Sequence, residues 1–149
     1  MIDDTYNASP KAVEAAIDTF SNIPSKRKIV VLGDMLELGE DEIRDHEKVI
    51  DRLIESDVDV VFLVGKRMRK AGEILVERDD IVVMFFDSPL DAGEELRELV
   101  EAGDLVLVKG SQGMRMEKVV EKVVRDGFDV GNLLCRQDLK WREKGYKMP

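Results

Sequence analysis

Ile29-Val30-Val31-Leu32, closed by Gly33-Asp34, is four apolar residues in a row, three of them β-branched, ending in a glycine and an acid. An unbroken run of this kind suits a strand covered on both faces, which is the habit of parallel sheets. Val60–Val64, Ile81–Phe86 and Leu105–Val108 repeat the pattern. Helical stripes lie around and between these runs: Val13, Ala16, Ile17 and Phe20; Ile43, His46, Ile50, Leu53 and Ile54; Met68, Ala71, Gly72 and Leu75; Gly93, Leu96, Leu99 and Val100; Met116, Val119, Val120 and Val123. Strand and helix alternate throughout, which predicts a doubly wound α/β domain with a mostly parallel sheet and helices on both faces.

The ends of the runs carry the chemistry. They close in Gly33-Asp34, Gly65-Lys66, Asp87-Ser88 and Lys109-Gly110-Ser111. In open α/β sheets ligands bind outside the carboxyl ends of the strands, so these clusters are expected to share one working edge. Asp3-Asp4-Thr5-Tyr6-Asn7-Ala8-Ser9-Pro10 belongs to the same edge. Ser9 is a suitable N-cap and Pro10 suits the first helical position, so the segment is expected to be strand end, polar loop and helix start. Met1 and Ile2 are too few to make a strand, and the chain is expected to begin inside an element whose earlier half is missing. Asp3 and Asp4 could hold a ribose, a metal or a phosphoryl group, or simply flank a turn. Asn7 offers a donor and an acceptor on one amide, equipment for a purine edge, and serves equally for an Asx-turn.

Composition narrows the classes. The 149 residues suffice for one domain, and 44% hydrophobic with 37% charged content is that of a globular, charge-rich protein. A net charge of −9 argues against nucleic acid as a general partner. Residues 136–149 run against that balance at a local +3, leaving −12 on the rest, and are expected to form a basic tail. Cys135 is the only cysteine, which fits a reducing compartment. Met1 is followed by acids rather than a basic stretch and apolar run, and the longest apolar run, Ile81–Phe86, is six residues. A cytoplasmic protein without a membrane span is expected.

No phosphate cradle is recognisable. Gly39 is followed by Glu40 where a P-loop needs lysine and a hydroxyl, Gly65-Lys66 is followed by Arg67, and no Gly-x-Gly-x-x-Gly occurs. His46, the sole histidine, lies on the apolar stripe of its helix, where a satisfied interior histidine is the commoner outcome than a catalytic one. No second His or Cys stands at ligand spacing, so no metal site is expected. Lys109-Gly110-Ser111-Gln112-Gly113-Met114-Arg115 places two cations and two glycines before a helix, the makings of an anion trap or of a plain turn.

Three blocks, Asp-Asp-Thr-Tyr-Asn-Ala-Ser-Pro from Asp3, Gly-Asp-Met-Leu-Glu-Leu-Gly from Gly33 with His46 beyond it, and Val-Lys-Gly-Ser-Gln-Gly-Met-Arg-Met-Glu from Val108, resemble the carboxyl-terminal domain of the Mur ligases, most of all the members that add D-alanyl-D-alanine. The resemblance implies a Rossmann-like domain over residues 1–131 with its first strand truncated, followed by a basic tail at 132–149. It implies one part of an ATP-dependent ligase that adds D-alanyl-D-alanine to a UDP-N-acetylmuramoyl tripeptide in peptidoglycan precursor synthesis. Its partners would be an N-terminal domain for the UDP-sugar and a central ATPase domain, and ATP and Mg2+ would be held mainly by the latter. By matched position Asp4 would contact the ribose and Asn7 the adenine, with Tyr6 and Pro10 shaping that wall. Asp34, Met35, Glu37, His46, Lys109, Ser111 and Arg115 would form the dipeptide side. No residue of this domain alone would be catalytic, and the chain alone is expected to be inactive. A stand-alone nucleotide-binding module and a receiver-like signalling domain are the alternatives. The latter lacks its acceptor, since the middle strand ends Leu63-Val64-Gly65.

Overall fold

The computed structural model describes residues 1–124 and Leu134. The elements in chain order are β1 (Ile2–Asp4), α1 (Pro10–Ser21), β2 (Arg27–Gly33), α2 (Glu42–Ile54), β3 (Val60–Val64), α3 (Lys66–Gly72), β4 (Val82–Phe86), α4 (Pro89–Leu99), β5 (Asp104–Lys109) and α5 (Glu117–Val123). Short 3-10 turns at Gly39–Asp41, Glu73–Glu77 and Gln112–Met114 join them. The strands form one sheet in the order β1-β5-β2-β3-β4, and all four pairings are parallel. The boundary at 131/132 and the basic tail lie outside the described residues.

Cover on both faces explains why the middles of the central strands lack polar residues, which stand only at their ends. Val30 and Leu32 of β2, with Val61 and Leu63 of β3, pack under α1, α2 and α3 through Ile17, Phe20, Ile50, Leu53 and Met68. Ile29 and Val31, with Phe62, Val64, Val106 and Val108, face α4 and α5 through Ala92, Leu96, Val119 and Val120. Each face removes its apolar half from water, and a charged residue on either face would face a helix rather than solvent.

The two edge strands are less covered than the central ones. Val83 and Phe85 of β4 pack on the α3 side and Met84 and Phe86 on the α4 side, so both faces are covered as expected, but β4 is an edge strand and the cover is partial, with Val82 53% exposed. At the other edge, Ile2 does enter a strand. Ile2–Asp4 pairs with Leu107–Lys109, so Asp3 and Asp4 form the strand end from which the polar loop leaves. Backbone pairing with a buried neighbour supplies what local sequence does not.

β1, β2, β3 and β4 proceed in one direction across the sheet, and β5 returns to lie between β1 and β2. The chain order therefore reverses beside β5, whose own helix α5 packs on the face opposite α1 and α2, the helices that leave its neighbours. At such a reversal the carboxyl ends of adjacent strands open a crevice. Asp4, Lys109 and Leu32 stand in one row there, with Gly33 just beyond.

Candidate functional site

At this reversal three loops meet. The first, residues 5–9, links β1 to α1. Asp3 accepts from the Thr5 amide and hydroxyl at 3.1 and 2.7 Å, and the Asn7 carboxamide oxygen accepts from the Ala8 amide at 2.9 Å. Ser9 takes the N-cap position with Pro10 behind it, yet its side chain makes no cap hydrogen bond; its carbonyl accepts from Val13 instead. Tyr6 and Asn7 are exposed, and the Asp4 carboxylate is half-exposed. Across the strand pair, the buried Lys109 ammonium donates to Asp4 Oδ2 at 2.6 Å and to the Asn7 carbonyl at 2.9 Å. Lys109 thus belongs physically with the Asp4–Asn7 group rather than with the loop across the crevice.

The second loop, 34–41, is held backbone group by backbone group. The Asp34 amide donates to the Val64 carbonyl at 3.1 Å. The Met35 amide donates to His46 Nε2 at 2.9 Å, and the Leu36 amide donates to Ser111 Oγ at 2.8 Å. Met35 and Leu38 pack into one core layer and Leu36 into the other, so the loop lies across the end of the sheet. Between Asp34 and Leu38 only Glu37 is exposed, in a left-handed conformation at φ 65°, with Gly39 at φ 72° closing the tip. A left-handed non-glycine residue costs roughly 1–2 kcal/mol and persists only where its surroundings hold it.

His46 is fully buried, and its two ring nitrogens have fixed duties. A peptide N–H can only donate and a carbonyl can only accept. Nε2 therefore accepts from Met35, and Nδ1–H donates to the Glu42 carbonyl at 2.5 Å. That pattern requires the neutral ring. Burial holds its pKa below the ordinary histidine value, outweighing the Glu42 carbonyl and nearby carboxylates that pull the other way.

Asp34 is also fully buried and points away from solvent. Its Oδ1 accepts from the Met68 amide at 2.8 Å and its Oδ2 from the Arg67 amide at 3.3 Å, at the start of α3. Gly65, at φ 106°, leaves room for it: a Cβ there would stand 2.5 Å from the Asp34 carboxyl carbon. Arg67 completes the arrangement by donating to Glu42 at 2.6 Å while its guanidinium lies 3.6 Å from Asp34. The sequence places Gly65 at this edge but gives no sign that it makes room for Asp34, or that Arg67 joins it there. The available signal was a glycine at a strand end before a helix lacking a cap of its own. The one Gly-Lys helix start that might have received phosphate is thereby closed by a carboxylate.

The third loop is Gly110–Met116. Gly33 and Gly110 touch backbone to backbone beneath the Met116 side chain, where a Cβ on either would come within 2.6 Å of Met116. Arg115, left-handed at φ 57°, is buried against the buried Glu117. With Lys109 committed to Asp4, neither cation of this turn faces outward, so it is not the anion trap its composition suggested. Of the residues expected on the dipeptide side, Glu37 alone is exposed; Asp34, Met35, His46, Lys109, Ser111 and Arg115 stand behind the surface. Among the described residues no group of three His, Cys, Asp or Glu is placed to hold a metal ion, and no helix is long and apolar enough to cross a membrane.

A parallel α/β sheet whose polar loops converge at the reversal of strand order is a domain of the doubly wound class. Residues 1–112 match the model of the Mur ligase, glutamate ligase domain, and the chain belongs to that family. It is 33% identical over 126 residues to the UDP-N-acetylmuramoyl-tripeptide–D-alanyl-D-alanine ligase of Bacillus subtilis, covering 83% of this chain and 28% of that one. The ligase of the same name from Rickettsia prowazekii is 31% identical over 121 residues, covering 81% and 26%. The MurF ligase of Thermotoga maritima, solved in complex with ADP, superposes with a TM-score of 0.65 at 32% identity over 80% of this chain and 26% of that one. The chain therefore spans about a quarter of the length of these proteins.

Proposed function

We propose that this chain acts as the C-terminal domain of a cytoplasmic ATP-dependent ligase that joins D-alanyl-D-alanine to a UDP-N-acetylmuramoyl tripeptide. The observation that carries the reading is the crevice itself. It has a half-exposed carboxylate and an exposed carboxamide and ring on one side, Asp4, Asn7 and Tyr6, and a rigid outward-facing Glu37 on the other.

On this reading Asn7 presents its amide to the adenine and Asp4 accepts from the ribose hydroxyls, with Tyr6 and Pro10 walling the base. Lys109 holds the Asp4 carboxylate and the Asn7 carbonyl in place, which lowers the ordering cost of binding at those two groups. The loop ending in Glu37 meets the incoming dipeptide, whose ammonium is suited to a carboxylate. Holding that amine in line with an activated carboxyl contributes to rate through orientation. When bound, ATP with Mg2+ supplies the activation of the tripeptide carboxyl. The residues here fit the nucleoside and not the triphosphate, because the α3 start is closed by Asp34 and the Lys109 ammonium is bonded to Asp4 and Asn7. Phosphates and metal therefore belong to a separate ATPase domain.

The test is to join this chain to the two preceding domains of the Bacillus subtilis relative, in place of that enzyme's own last domain. Phosphate release that requires both the UDP-linked tripeptide and D-alanyl-D-alanine is expected. Release stimulated equally by unrelated dipeptides, or by none, would remove the assignment.

A further inference from the structure

Both sides of the crevice are tied to one turn. From Lys109, the ammonium reaches the first loop at Asp4 and at the Asn7 carbonyl. Two residues on, the Ser111 amide donates to the Asp34 carbonyl at 3.2 Å, and its hydroxyl accepts from the Leu36 amide at 2.8 Å. The same hydroxyl has its proton turned toward the Ala8 carbonyl, 3.4 Å away. A serine hydroxyl can donate once while accepting, so this one group spans the two loops. The turn between is stiff: Gly110 lies against Gly33 under Met116, with no space for a Cβ on either.

We propose that the Lys109–Ser111 turn mechanically couples the nucleotide edge to the Asp34–Gly39 loop, with Ser111 as the positioning residue between them. Resting on the ligase reading above, this gives the two halves of the site a shared geometry. Movement of the Ala8 carbonyl when a nucleotide settles against Asn7 changes the Ser111 hydroxyl orientation and hence the Leu36 amide. The coupling is a hydrogen-bond relay of two steps, and Ser111, at 5% exposure, contacts neither ligand.

The experiment is titration of the 15N-labelled full chain with ADP, followed by amide resonances. In the unmodified chain, shifts at Tyr6, Asn7 and Ala8 should be accompanied by a shift at Leu36 with the same saturation curve. In Ser111→Ala the Tyr6–Ala8 response should remain while the Leu36 response disappears; Ser111→Thr, which keeps the hydroxyl, should restore it. If the alanine variant does not fold, the unmodified chain and the threonine variant decide. Leu36 silent in the unmodified chain while Asn7 and Ala8 respond overturns the coupling and leaves the nucleotide edge standing. A Leu36 response that survives in Ser111→Ala also overturns it. Silence at Tyr6–Ala8 at saturating ADP removes the nucleotide edge, and the coupling with it.

Discussion

The two ends of the sheet are built from the same kinds of residue and put them to different uses. At the amino end, Arg27 donates through two nitrogens to Asp104 at 3.1 and 2.5 Å and to the Leu99 carbonyl at 2.9 Å. Lys28 donates to Asp57 and to the Ser21 carbonyl, and its amide is held by Asp59 at 2.7 Å. These contacts join strand starts to the preceding helix ends, and their charges cancel in place. At the carboxyl end, His46 and Ser111 accept from backbone amides of the 34–41 loop, and Asp34 accepts from amides at the start of α3. What they leave at the surface is Tyr6, Asn7, Glu37 and part of Asp4. One end consumes its polar groups as fasteners; the other uses buried polar groups to hold a few exposed ones still. Burial alone does not separate the two, since Asp104 and Asp34 are both hidden, at side-chain exposures of 1% and 0%. What separates them is the partner: Asp104 is bonded to the Arg27 guanidinium, whereas Asp34 accepts from backbone amides at the start of α3.

The largest expected effect lies at the carboxyl end. Gly65→Ala forces a side chain into a φ of 106° and against the Asp34 carboxylate. It should cost on the order of 3 kcal/mol, part from backbone strain and part from displacing a buried capping group. A urea midpoint unchanged from the parent would mean that Asp34 does not hold the start of α3.

Next is the amino end. Asp104→Asn should cost about 1–2 kcal/mol by removing the charge and one of the two oxygens that accept from Arg27. The Arg27 hydrogen bond holds the Asp104 carboxyl below its ordinary value of 3.8. Its stabilisation is therefore full above that pH and lost as pH falls through the lowered folded value. Asp104→Asn should flatten this acid limb in a pH series of unfolding curves, while ADP-induced amide shifts stay as in the parent. Loss of those shifts would erase the distinction between the two ends.

His46 should act in a different window. Because its folded pKa lies below 6.5, its contribution is full above that pH and declines as pH falls, when the unfolded chain takes a proton the folded one refuses. His46→Gln should lower stability by about 1 kcal/mol by stranding the Glu42 carbonyl, and abolish this slope. In the joined ligase it should leave the KM for the dipeptide alone, since a glutamine oxygen can still accept from Met35. A stable variant blind to dipeptide would place His46 at the ligand instead.

The smallest effects belong to the exposed groups. Asn7→Ala and Asp4→Ala in the joined ligase should each raise the KM for ATP several-fold, about 1 kcal/mol, with less change in kcat. Steady-state kinetics with an unaltered KM in both variants would move the nucleotide off this edge.

Much of this was legible in the residues because the strands are continuous apolar runs and the helices keep a 3.6-residue stripe. β3 matches its run residue for residue, and α2 carries the Ile43-His46-Ile50-Leu53 stripe inward at His46, Ile50 and Leu53. Strand order was not legible, since it rests on β5 returning between β1 and β2, and nothing local to Leu105–Val108 records that. The site was legible as a set of clusters at strand ends but not as a division of roles. Lys109 and Asp4 are 105 residues apart, and Asp34 caps a helix 33 residues on. A lysine beside a glycine suggests an available cation until its carboxylate is found across the sheet. Arg115 misled for the same reason, although Glu117, two residues away, offered a hint.

The central claim is that this chain supplies an adenosine edge and a loop for the acceptor, and leaves phosphate chemistry to another domain. Phosphate release from the purified 149-residue chain, supplied with ATP and magnesium, tests it most directly. The account predicts none above a protein-free blank, in the parent and in Lys109→Ala alike. Turnover that survives purification and disappears in Lys109→Ala would contradict it.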